Sequence, residues 1–313
     1  MIERILINFP SSLGDTIMGL PVLDRLRANY PQARITAICS SSTKDFLCCN
    51  NFIQEVILFD KFWKGRQKMV FSFSLRGKYD LMVDLKNTII PFIVGAKERT
   101  PFVRKFSKNL RAKDEYLNLI KKIAPREGNL KSNFILSEAE RKKWEARSLR
   151  KAIFVACSSR ERLKQYPYDY LRVVIRELAH RHHLAILGSA EEANFYNDIL
   201  SMDGVTDLVG KTQMREVFFL LKNYALMLFC VDSSIMQLAS YLDLPIVALF
   251  GLTDPKRYGP WSRDCVVLRK EGKIIPLSRK KNYNKLLDYM KIEPNRVIKA
   301  TEEMLAKYAN IIN

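Results

Sequence analysis

The chain has 313 residues, of which 48% are hydrophobic, enough for two α/β domains that each bury a core. Lysine and arginine number 52 against 33 aspartate and glutamate, and the formal net charge of +19 predicts an anionic partner: nucleic acid, an acidic membrane surface or a phosphorylated substrate. The composition excludes a disordered chain, and no apolar run approaches the roughly 20 residues of a membrane-spanning helix.

The first half of the chain alternates apolar strands with helices, the pattern of βαβ units on a parallel sheet. Leucines at helical spacing predict a helix over 16–29 and further patterns predict strands over 4–9, 33–39, 55–59 and 79–85. A short helix or strand is expected over 89–95, and a helix over 114–123.

The second half continues this alternation after a charged helix at 137–149. Its predicted strands are 152–156, 184–187, 205–208, 226–231 and 245–250, and its predicted helices include 168–180 and 294–308. We place the two domains at 1–150 and 151–313. The last helix could pack against the first domain.

Polar residues follow strands near both ends of the chain. Asp15 comes after the first strand, and the segment 232–234 follows the strand at 226–231. In open α/β sheets ligands bind at such junctions, because helix amide groups and the helix dipole point into the crevice. Two crevices predict two domains that face each other across a cleft.

Asp15 has two interpretations. As a residue before a helix it is an N-cap, worth about 1 kcal/mol. As a partly desolvated carboxylate at a cleft it is a general base for a substrate hydroxyl.

Lys164 lies in a basic loop just beyond the predicted strand 152–156. Its ammonium can neutralise charge on a departing phosphate, with Ser158 and Ser159 as hydroxyl donors; a solvated surface lysine is the alternative.

The segment Asp232, Ser233 and Ser234 opens a helix, and its residues either cap that helix or help its amide groups to bind phosphate. Thr253 and Asp254 follow the next strand. They either form a turn with the following proline or belong to the same phosphate site.

Two basic stretches belong to the first domain, and each is either a solvated loop or a surface for nucleic acid, a membrane interface or a phosphorylated glycolipid. The first mixes cations with aromatic residues: Lys61, Lys64, Arg66, Lys68, Arg76 and Lys78 with Phe62, Trp63, Phe71 and Phe73. The second comprises Lys97, Arg99, Arg104, Lys105, Lys108, Arg111 and Lys113.

The six cysteines show no CxxC pair or metal-ligand spacing, which favours a reducing cytoplasm. Cys39, Cys157 and Cys230 lie in or beside apolar runs and are predicted to be core thiols. The N-terminal apolar run is too short, and too closely followed by Pro10 and Asp15, for a signal peptide. These features predict a cytoplasmic protein that is at most peripheral on a membrane.

Seven segments match, in order, motifs of one enzyme family. They are Ser12-Leu13-Gly14-Asp15, Gly95-Ala96-Lys97-Glu98-Arg99, Lys164-Gln165-Tyr166-Pro167, Gly210-Lys211-Thr212, Asp232-Ser233-Ser234-Ile235-Met236-Gln237-Leu238-Ala239, 249–255 and Tyr258-Gly259-Pro260-Trp261. In combination they resemble the family nine glycosyltransferases, the ADP-heptose:lipopolysaccharide heptosyltransferases, over nearly the whole chain.

The resemblance implies a GT-B fold of two Rossmann-like domains with parallel sheets. It implies an inverting transfer of heptose from ADP-heptose to the anionic lipopolysaccharide core, without a required metal or cofactor. The nucleotide sugar would bind the second domain and the lipid-linked acceptor the first, at the cytoplasmic face of the inner membrane. Asp15 would deprotonate the acceptor hydroxyl, and Lys164 would hold the diphosphate.

The remaining site residues are assigned to the two substrates. Donor binding is assigned to Lys164, Ser158, Ser159, Asp232, Ser233, Ser234, Gln237, Thr253 and Asp254. Acceptor binding is assigned to Ser12, Gly14, Lys61, Lys64, Arg66, Arg99 and Arg104.

Two positions depart from the family pattern: Ser234 stands where the family usually has Gly, and Gln237 where it usually has His. Gln forms hydrogen bonds but cannot supply a cationic imidazole. One alternative is therefore a related enzyme that uses another nucleotide sugar, such as a hexose or hexosamine donor. A second is a catalytically weak nucleotide-binding assembly factor. Nucleic-acid binding fits the charge, but no such motif is present, and we expect no nucleic-acid partner.

Overall fold

The computed structural model describes residues 2–59, 62–101, 110–128, 130–147, 149–270 and 286–312. The chain divides into two compact units, Met1–Leu136 (unit 1) and Ser137–Asn313 (unit 2). Each unit is an α/β structure around a parallel sheet.

Unit 1 contains, in its described part, five parallel strands in the order β3-β2-β1-β4-β5. The strands are β1 (Arg4–Asn8), β2 (Arg34–Cys39), β3 (Glu55–Leu58), β4 (Leu81–Asp84) and β5 (Glu98–Arg99). The helices are α1 (Leu13–Met18), α2 (Leu20–Asn29), α3 (Ser41–Leu47), α4 (Gly65–Ser74), α5 (Ile90–Val94) and α6 (Ala112–Ile120).

Unit 2 contains six parallel strands among its described residues, in the order β11-β10-β9-β6-β7-β8. The strands are β6 (Ala152–Ala156), β7 (Leu184–Ile186), β8 (Val205–Asp207), β9 (Ala225–Val231), β10 (Ile246–Leu249) and β11 (Cys265–Leu268). The helices are α7 (Glu138–Glu145), α8 (Tyr168–Ala179), α9 (Ala193–Tyr196), α10 (Met214–Tyr224), α11 (Ser234–Tyr241), α12 (Pro255–Tyr258) and α13 (Pro294–Ile312).

In each unit the first strand lies in the interior of the sheet. The next strands are added on one side of it, and the remaining strands on the other side. The chain adds β2 and β3 on one side of β1, and then crosses to place β4 on the other side. In unit 2 the same reversal lies between β6 and β9. Ligands of doubly wound sheets bind at this switch point, outside the carboxyl ends of the strands.

The core of unit 2 is formed by strands that are buried on both faces and by amphipathic helices. Leu171, Val174 and Leu178 of α8 are buried at helical spacing. They share one apolar cluster with Val297 and Met304 of α13. The last helix therefore packs on unit 2, against α8, β9 and β10, and its predicted packing on the first domain stays a prediction.

The predicted strands are all present with nearly the same bounds, whereas α3, α4, α9, α12, β5 and β11 were not predicted. The helix predicted over 16–29 begins earlier, at Leu13, and is interrupted at Gly19. A Cβ atom at Gly19 would lie 2.9 Å from Leu85 Cδ1 and 3.1 Å from the Thr16 carbonyl oxygen, so a larger residue at this position would have to displace the Leu85 side chain.

Helix α7 belongs to unit 2, so the boundary lies before the one placed near residue 150. The Lys143 Nζ and Trp144 Nε1 atoms both donate to Glu216 Oε1 on α10, each at 2.8 Å. Arg215 Nη2 lies 2.6 Å from Glu140 Oε1. These contacts attach α7 to α10 and place the division ahead of α7.

The Glu140 contact predicts a pH-dependent contribution to stability. Hydrogen bonds from Arg215 and Ser137 lower the pKa of Glu140 from 4.5 to about 2. Because the folded-state pKa is depressed, the carboxylate stabilises the fold above pH 4.5, and this contribution is lost as the pH falls toward 2. We expect Glu140→Gln to lower the free energy of unfolding near neutral pH, by an amount that shrinks below about pH 5.

Urea unfolding at several pH values measures this difference. Glu145→Gln is the matched control, because Glu145 lies on the same helix in an exposed ion pair with Arg141 at 3.7 Å. A Glu140→Gln effect that is equal at every pH would contradict the assignment.

Candidate active site

The carboxyl end of β1 leads directly into α1, whose N-cap is Ser12. The Ser12 Oγ accepts a hydrogen bond from the Asp15 amide at 3.2 Å, and its O–H donates to Asp15 Oδ2 at 2.6 Å. The interpretation of Asp15 as the N-cap is therefore wrong, because Ser12 occupies that position. Asp15 lies half-buried in the first helical turn, close to the positive end of the helix dipole.

A second carboxylate, Asp84, lies at the end of β4 beside β1 and was not predicted. It is fully buried and accepts hydrogen bonds from Asn8 Nδ2 (2.8 Å), Thr88 Oγ1 (2.9 Å) and the Lys86 amide (3.0 Å). The Asp84 amide donates to Thr100 Oγ1 at 2.9 Å. The signal in the sequence is a polar residue at the end of two neighbouring buried strands, Asn8 and Asp84.

A cavity of about 610 Å³ lies next to this switch point in unit 1. Its lining includes Ser11 after β1, Lys68 and Met69 of α4, and Ile90 and Ile93 of α5.

Lys86 also lines this cavity, with its Nζ 5.4 Å from the centre of the Phe59 ring. Burial lowers the pKa of Lys86, and the nearby Asp84 carboxylate opposes that shift.

The residues assigned to the acceptor are only partly brought together. Ser12, Gly14 and Asp15 share the start of α1. Arg99 is exposed on β5, which β4 separates from β1.

Two further acceptor residues lie at the start of α4. The Lys64 amide donates to Gln67 Oε1 at 2.8 Å, and Arg66 lines a cavity of about 470 Å³ with Trp63. Lys61 and Arg104 lie outside the described residues.

In unit 2 the loop after β6 folds back on the end of its own strand. Gln165 Nε2 donates to the Ser159 carbonyl at 2.7 Å, and the Tyr166 amide donates to the Cys157 carbonyl at 3.3 Å. This conformation carries Lys164, the last residue of a short 3₁₀ helix, toward the neighbouring strand β9.

Lys164 and Asp232 form an ion pair at the switch point of unit 2. Lys164 Nζ donates to Asp232 Oδ2 at 2.6 Å, and the side chains are 25% and 10% exposed. Asp232 follows β9 directly, and β9 pairs with β6. An ammonium has three N–H donors, so Lys164 keeps two for a ligand while it is bonded to Asp232.

The helices after β9 and β10 are capped by residues assigned to the donor. The Ser233 Oγ accepts from the Met236 amide at 3.3 Å, and Asp254 Oδ1 accepts from the Lys256 amide at 2.9 Å. The capping interpretation is confirmed for Ser233, whereas Asp254, predicted to lie in a turn with Pro255 or in the site, is the N-cap of α12. The roles of both residues toward a ligand stay predictions. Ser234 is the half-buried first residue of α11.

Thr253 directly precedes the cap of α12. Because β10 lies beside β9, both helix starts lie at the same edge of the sheet.

Ser158 and Ser159 are held by the surrounding backbone and side chains. The Tyr196 hydroxyl lies 3.0 Å from Ser158 Oγ and accepts from the Ser158 amide at 3.1 Å. Burial raises the pKa of Tyr196, which therefore remains a phenol. Ser159 Oγ accepts from the Glu161 amide at 3.2 Å. Both serines thus stabilise the end of β6, and their contact with a ligand stays a prediction.

Gln237 is buried on α11, and only the nitrogen of its side-chain amide has a hydrogen-bond partner among the described residues. Its Nε2 donates to the Tyr258 carbonyl at 2.6 Å, and its Oε1 has no hydrogen-bond partner among the described residues. An unsatisfied buried acceptor costs about 1–3 kcal/mol, which a ligand O–H or N–H would recover.

Within the described segments, no three His, Cys, Asp or Glu side chains are arranged to hold a metal ion. The predicted independence from metal stays a prediction. In the same part of the chain, no helix has the length and apolar character needed to cross a membrane.

Comparison with known proteins gives a family match and full-length relatives. The family model "Glycosyltransferase family 9 (heptosyltransferase)" matches residues 71–287, about two thirds of the chain. The lipooligosaccharide heptosyltransferase 2 of Haemophilus influenzae is 24% identical, over 97% of this chain and 100% of the relative. The lipopolysaccharide heptosyltransferase 2 of Salmonella typhimurium is also 24% identical, over 97% of this chain and 99% of the relative.

Two solved structures have the same fold. The ADP-heptose lipopolysaccharide heptosyltransferase II of E. coli superposes with a TM-score of 0.76 at 23% identity, over 98% of this chain and 99% of that one. The E. coli heptosyltransferase WaaC with ADP gives a TM-score of 0.70 at 17% identity, over 96% of this chain and 99% of that chain. These similarities confirm the predicted GT-B fold class of two Rossmann-like units with parallel sheets.

The buried Asp84 cluster predicts a large effect on stability. Asp84→Ala leaves the Asn8, Thr88 and Lys86 donors without their acceptor, and each unsatisfied buried donor costs about 1–3 kcal/mol. We expect the free energy of unfolding to fall by about 2–4 kcal/mol. Denaturant unfolding measures the loss, with the exposed Asp45→Ala as a control expected to change it by less than about 0.5 kcal/mol. Equal stabilities of the two variants would contradict a structural role for Asp84.

Proposed function

This chain belongs to glycosyltransferase family 9 (heptosyltransferase), and we propose that it transfers heptose from ADP-heptose to the inner core of lipopolysaccharide, with inversion and without a metal. The observation that carries the proposal is the Lys164–Asp232 ion pair at the switch point of unit 2. In this pair Asp232 positions the Lys164 ammonium at the edge of the sheet where doubly wound α/β folds bind nucleotides.

The donor diphosphate is proposed to bind at this pair and at the start of α11. As the bond to the anomeric carbon breaks, negative charge accumulates on the departing ADP. The two remaining N–H donors of Lys164 and the first amide groups of α11 stabilise that charge. Asp232 positions the ammonium and balances its charge when the diphosphate is absent.

The acceptor is proposed to bind unit 1, with Asp15 as the general base. Asp15 accepts the proton of the acceptor hydroxyl while the hydroxyl oxygen attacks the anomeric carbon from the face opposite the diphosphate. The hydrogen bond from Ser12 fixes the orientation of the carboxylate. Charge stabilisation by Lys164 and helix amide groups accounts for a reaction without a metal.

Gln237 bears on which nucleotide sugar is used. Its buried Oε1 can accept a hydrogen bond from the donor, which the usual family histidine could do only through a neutral ring nitrogen. A hexose or hexosamine donor is therefore the alternative substrate, to be compared directly with ADP-heptose. The proposed place of action is the cytoplasmic face of the inner membrane, as a peripheral protein, with no nucleic-acid partner.

Replacement of Asp15 tests the proposed base. We expect Asp15→Ala to lower kcat by about 10²–10⁴-fold, while the free energy of unfolding changes by about 1 kcal/mol or less. ADP release from ADP-heptose in the presence of a core acceptor measures turnover.

Ser137→Ala is the matched control, since it removes the N-cap of α7 and should cost about 1 kcal/mol of stability with full turnover. Normal turnover of Asp15→Ala would exclude Asp15 as the base. Absence of ADP release by the wild-type protein would favour the assembly-factor alternative.

A further inference from the structure

A smaller cavity of about 310 Å³ lies in unit 1, at the carboxyl ends of β1, β2 and β3. Four of its lining residues are serines: Ser11 after β1, and the three serines at 40–42 after β2. Leu58 at the end of β3, together with Phe59 and Phe62, supplies the apolar part of the lining. Ligand pockets have volumes of about 300–1,000 Å³, so this cavity has room for one small ring.

The serine hydroxyls of this cavity have more contacts than protons. The Ser40 and Ser42 hydroxyls both donate to the Ser11 carbonyl oxygen, at 2.9 and 3.0 Å, and their Oγ atoms lie 2.9 Å apart. Each hydroxyl has one proton and two lone pairs, so these three contacts hold at most two protons. The pair therefore keeps lone pairs that can accept hydrogen bonds from the O–H groups of a ligand.

Phe59 gives the cavity an aromatic wall whose position is fixed by its neighbours. The ring centres of Trp63 and Phe71 lie 5.7 and 5.3 Å from that of Phe59, both in edge-to-face geometry. Lys86 Nζ lies 5.4 Å from the same ring centre. A sugar ring carries O–H groups around its edge and C–H groups on its faces, so hydroxyls beside an aromatic ring match both parts of a sugar.

The lining of this cavity differs in charge from that of the neighbouring one. All its described lining residues are uncharged, whereas Lys68 and Lys86 line the cavity of about 610 Å³. A phosphate or carboxylate that leaves water needs cations or strong N–H donors around it. The smaller cavity therefore suits a neutral sugar, and the larger one suits an anionic group.

The smaller cavity adjoins the segment that carries the proposed base. Ser11 and Phe59 line both cavities, so the two spaces are neighbours. Ser12 directly follows Ser11 and donates to Asp15 Oδ2 at 2.6 Å. A sugar bound at the serines 40–42 thus lies beside the residues that hold Asp15.

We propose that Ser40, Ser42 and Phe59 bind a neutral sugar ring of the acceptor. The two hydroxyl oxygens accept hydrogen bonds from O–H groups of the ring, and Phe59 packs against one of its faces. This sugar subsite rests on the proposed function, because the sugar belongs to the acceptor of that transfer. The three residues bind and select the acceptor, and they take no part in proton transfer.

Binding of neutral glycosides to the full chain tests the subsite without any turnover. We expect saturation-transfer NMR to show contact between the wild-type protein and at least one of the methyl pyranosides of glucose, mannose and galactose. Ser42→Ala should weaken that binding about threefold to tenfold, because one hydrogen bond is lost. Ser42→Thr should restore it, because the hydroxyl is retained.

Ser74→Ala is the matched control for the loss of a serine hydroxyl. Ser74 is also exposed in unit 1, and its O–H also donates to a backbone carbonyl, that of Phe71, at 2.7 Å. Ser40→Ala removes the second hydroxyl of the subsite. Its side chain forms no capping hydrogen bond to α3, so the helix should remain intact.

Steady-state kinetics with the core acceptor measure the contribution of the subsite to transfer. Ser40→Ala and Ser42→Ala should each raise the KM for the acceptor about threefold to tenfold, with kcat and the KM for ADP-heptose close to the wild-type values. A wild-type protein without turnover would contradict the transfer function, and glycoside binding would still decide the subsite.

Three results would overturn the sugar subsite. They are absence of saturation transfer to all three pyranosides, equal pyranoside binding by the wild-type and Ser42→Ala proteins, and displacement of a bound pyranoside by inorganic phosphate. The last result would assign the smaller cavity to an anion.

Discussion

The ion pair between Lys164 and Asp232 joins the two strands between which the sheet of unit 2 reverses its direction. Lys164 lies in the loop after β6, and Asp232 directly follows β9. Both side chains are largely withdrawn from water, so removal of either would leave a buried charge that the protein must compensate. The pair therefore fixes the conformation of the loop and holds an ammonium at the position where a parallel sheet receives a diphosphate.

Unit 1 has a polar contact at the equivalent point of its own sheet, between Asn8 of β1 and Asp84 of β4. Parallel strands covered by helices are apolar along their length, so polar groups concentrate where the strands end. The two switch points differ in chemistry: the unit 1 carboxylate accepts hydrogen bonds from the Asn8 and Thr88 side chains, whereas the unit 2 carboxylate is hydrogen-bonded to the Lys164 ammonium. This difference supports the proposed diphosphate site in unit 2.

The sequence predicted nine of the eleven strands among the described residues, the fold class and the edge of the sheet at which Lys164 and Asp232 lie, because apolar runs determine where parallel strands end. It could not predict the bond between them, which depends on a loop held by the Gln165–Ser159 contact. The Ser12–Asp15 segment offers two capping residues three positions apart, and only the structure shows that Ser12 is the cap. Helix α4 was missed because its apolar residues do not form one inward-facing stripe: Phe71 packs on the core, whereas Met69, Val70 and Phe73 are exposed.

The most direct test of the donor site is thermal unfolding of the wild-type protein and Lys164→Gln in the presence of ADP, UDP, GDP or CDP. Saturation at 100 times the dissociation constant adds about 2.7 kcal/mol to the free energy of unfolding. We expect ADP to raise the Tm of the wild-type protein most, and Lys164→Gln to lose most of that shift. No shift with any nucleotide, or an ADP shift that Lys164→Gln retains in full, would contradict a diphosphate site at the Lys164–Asp232 pair.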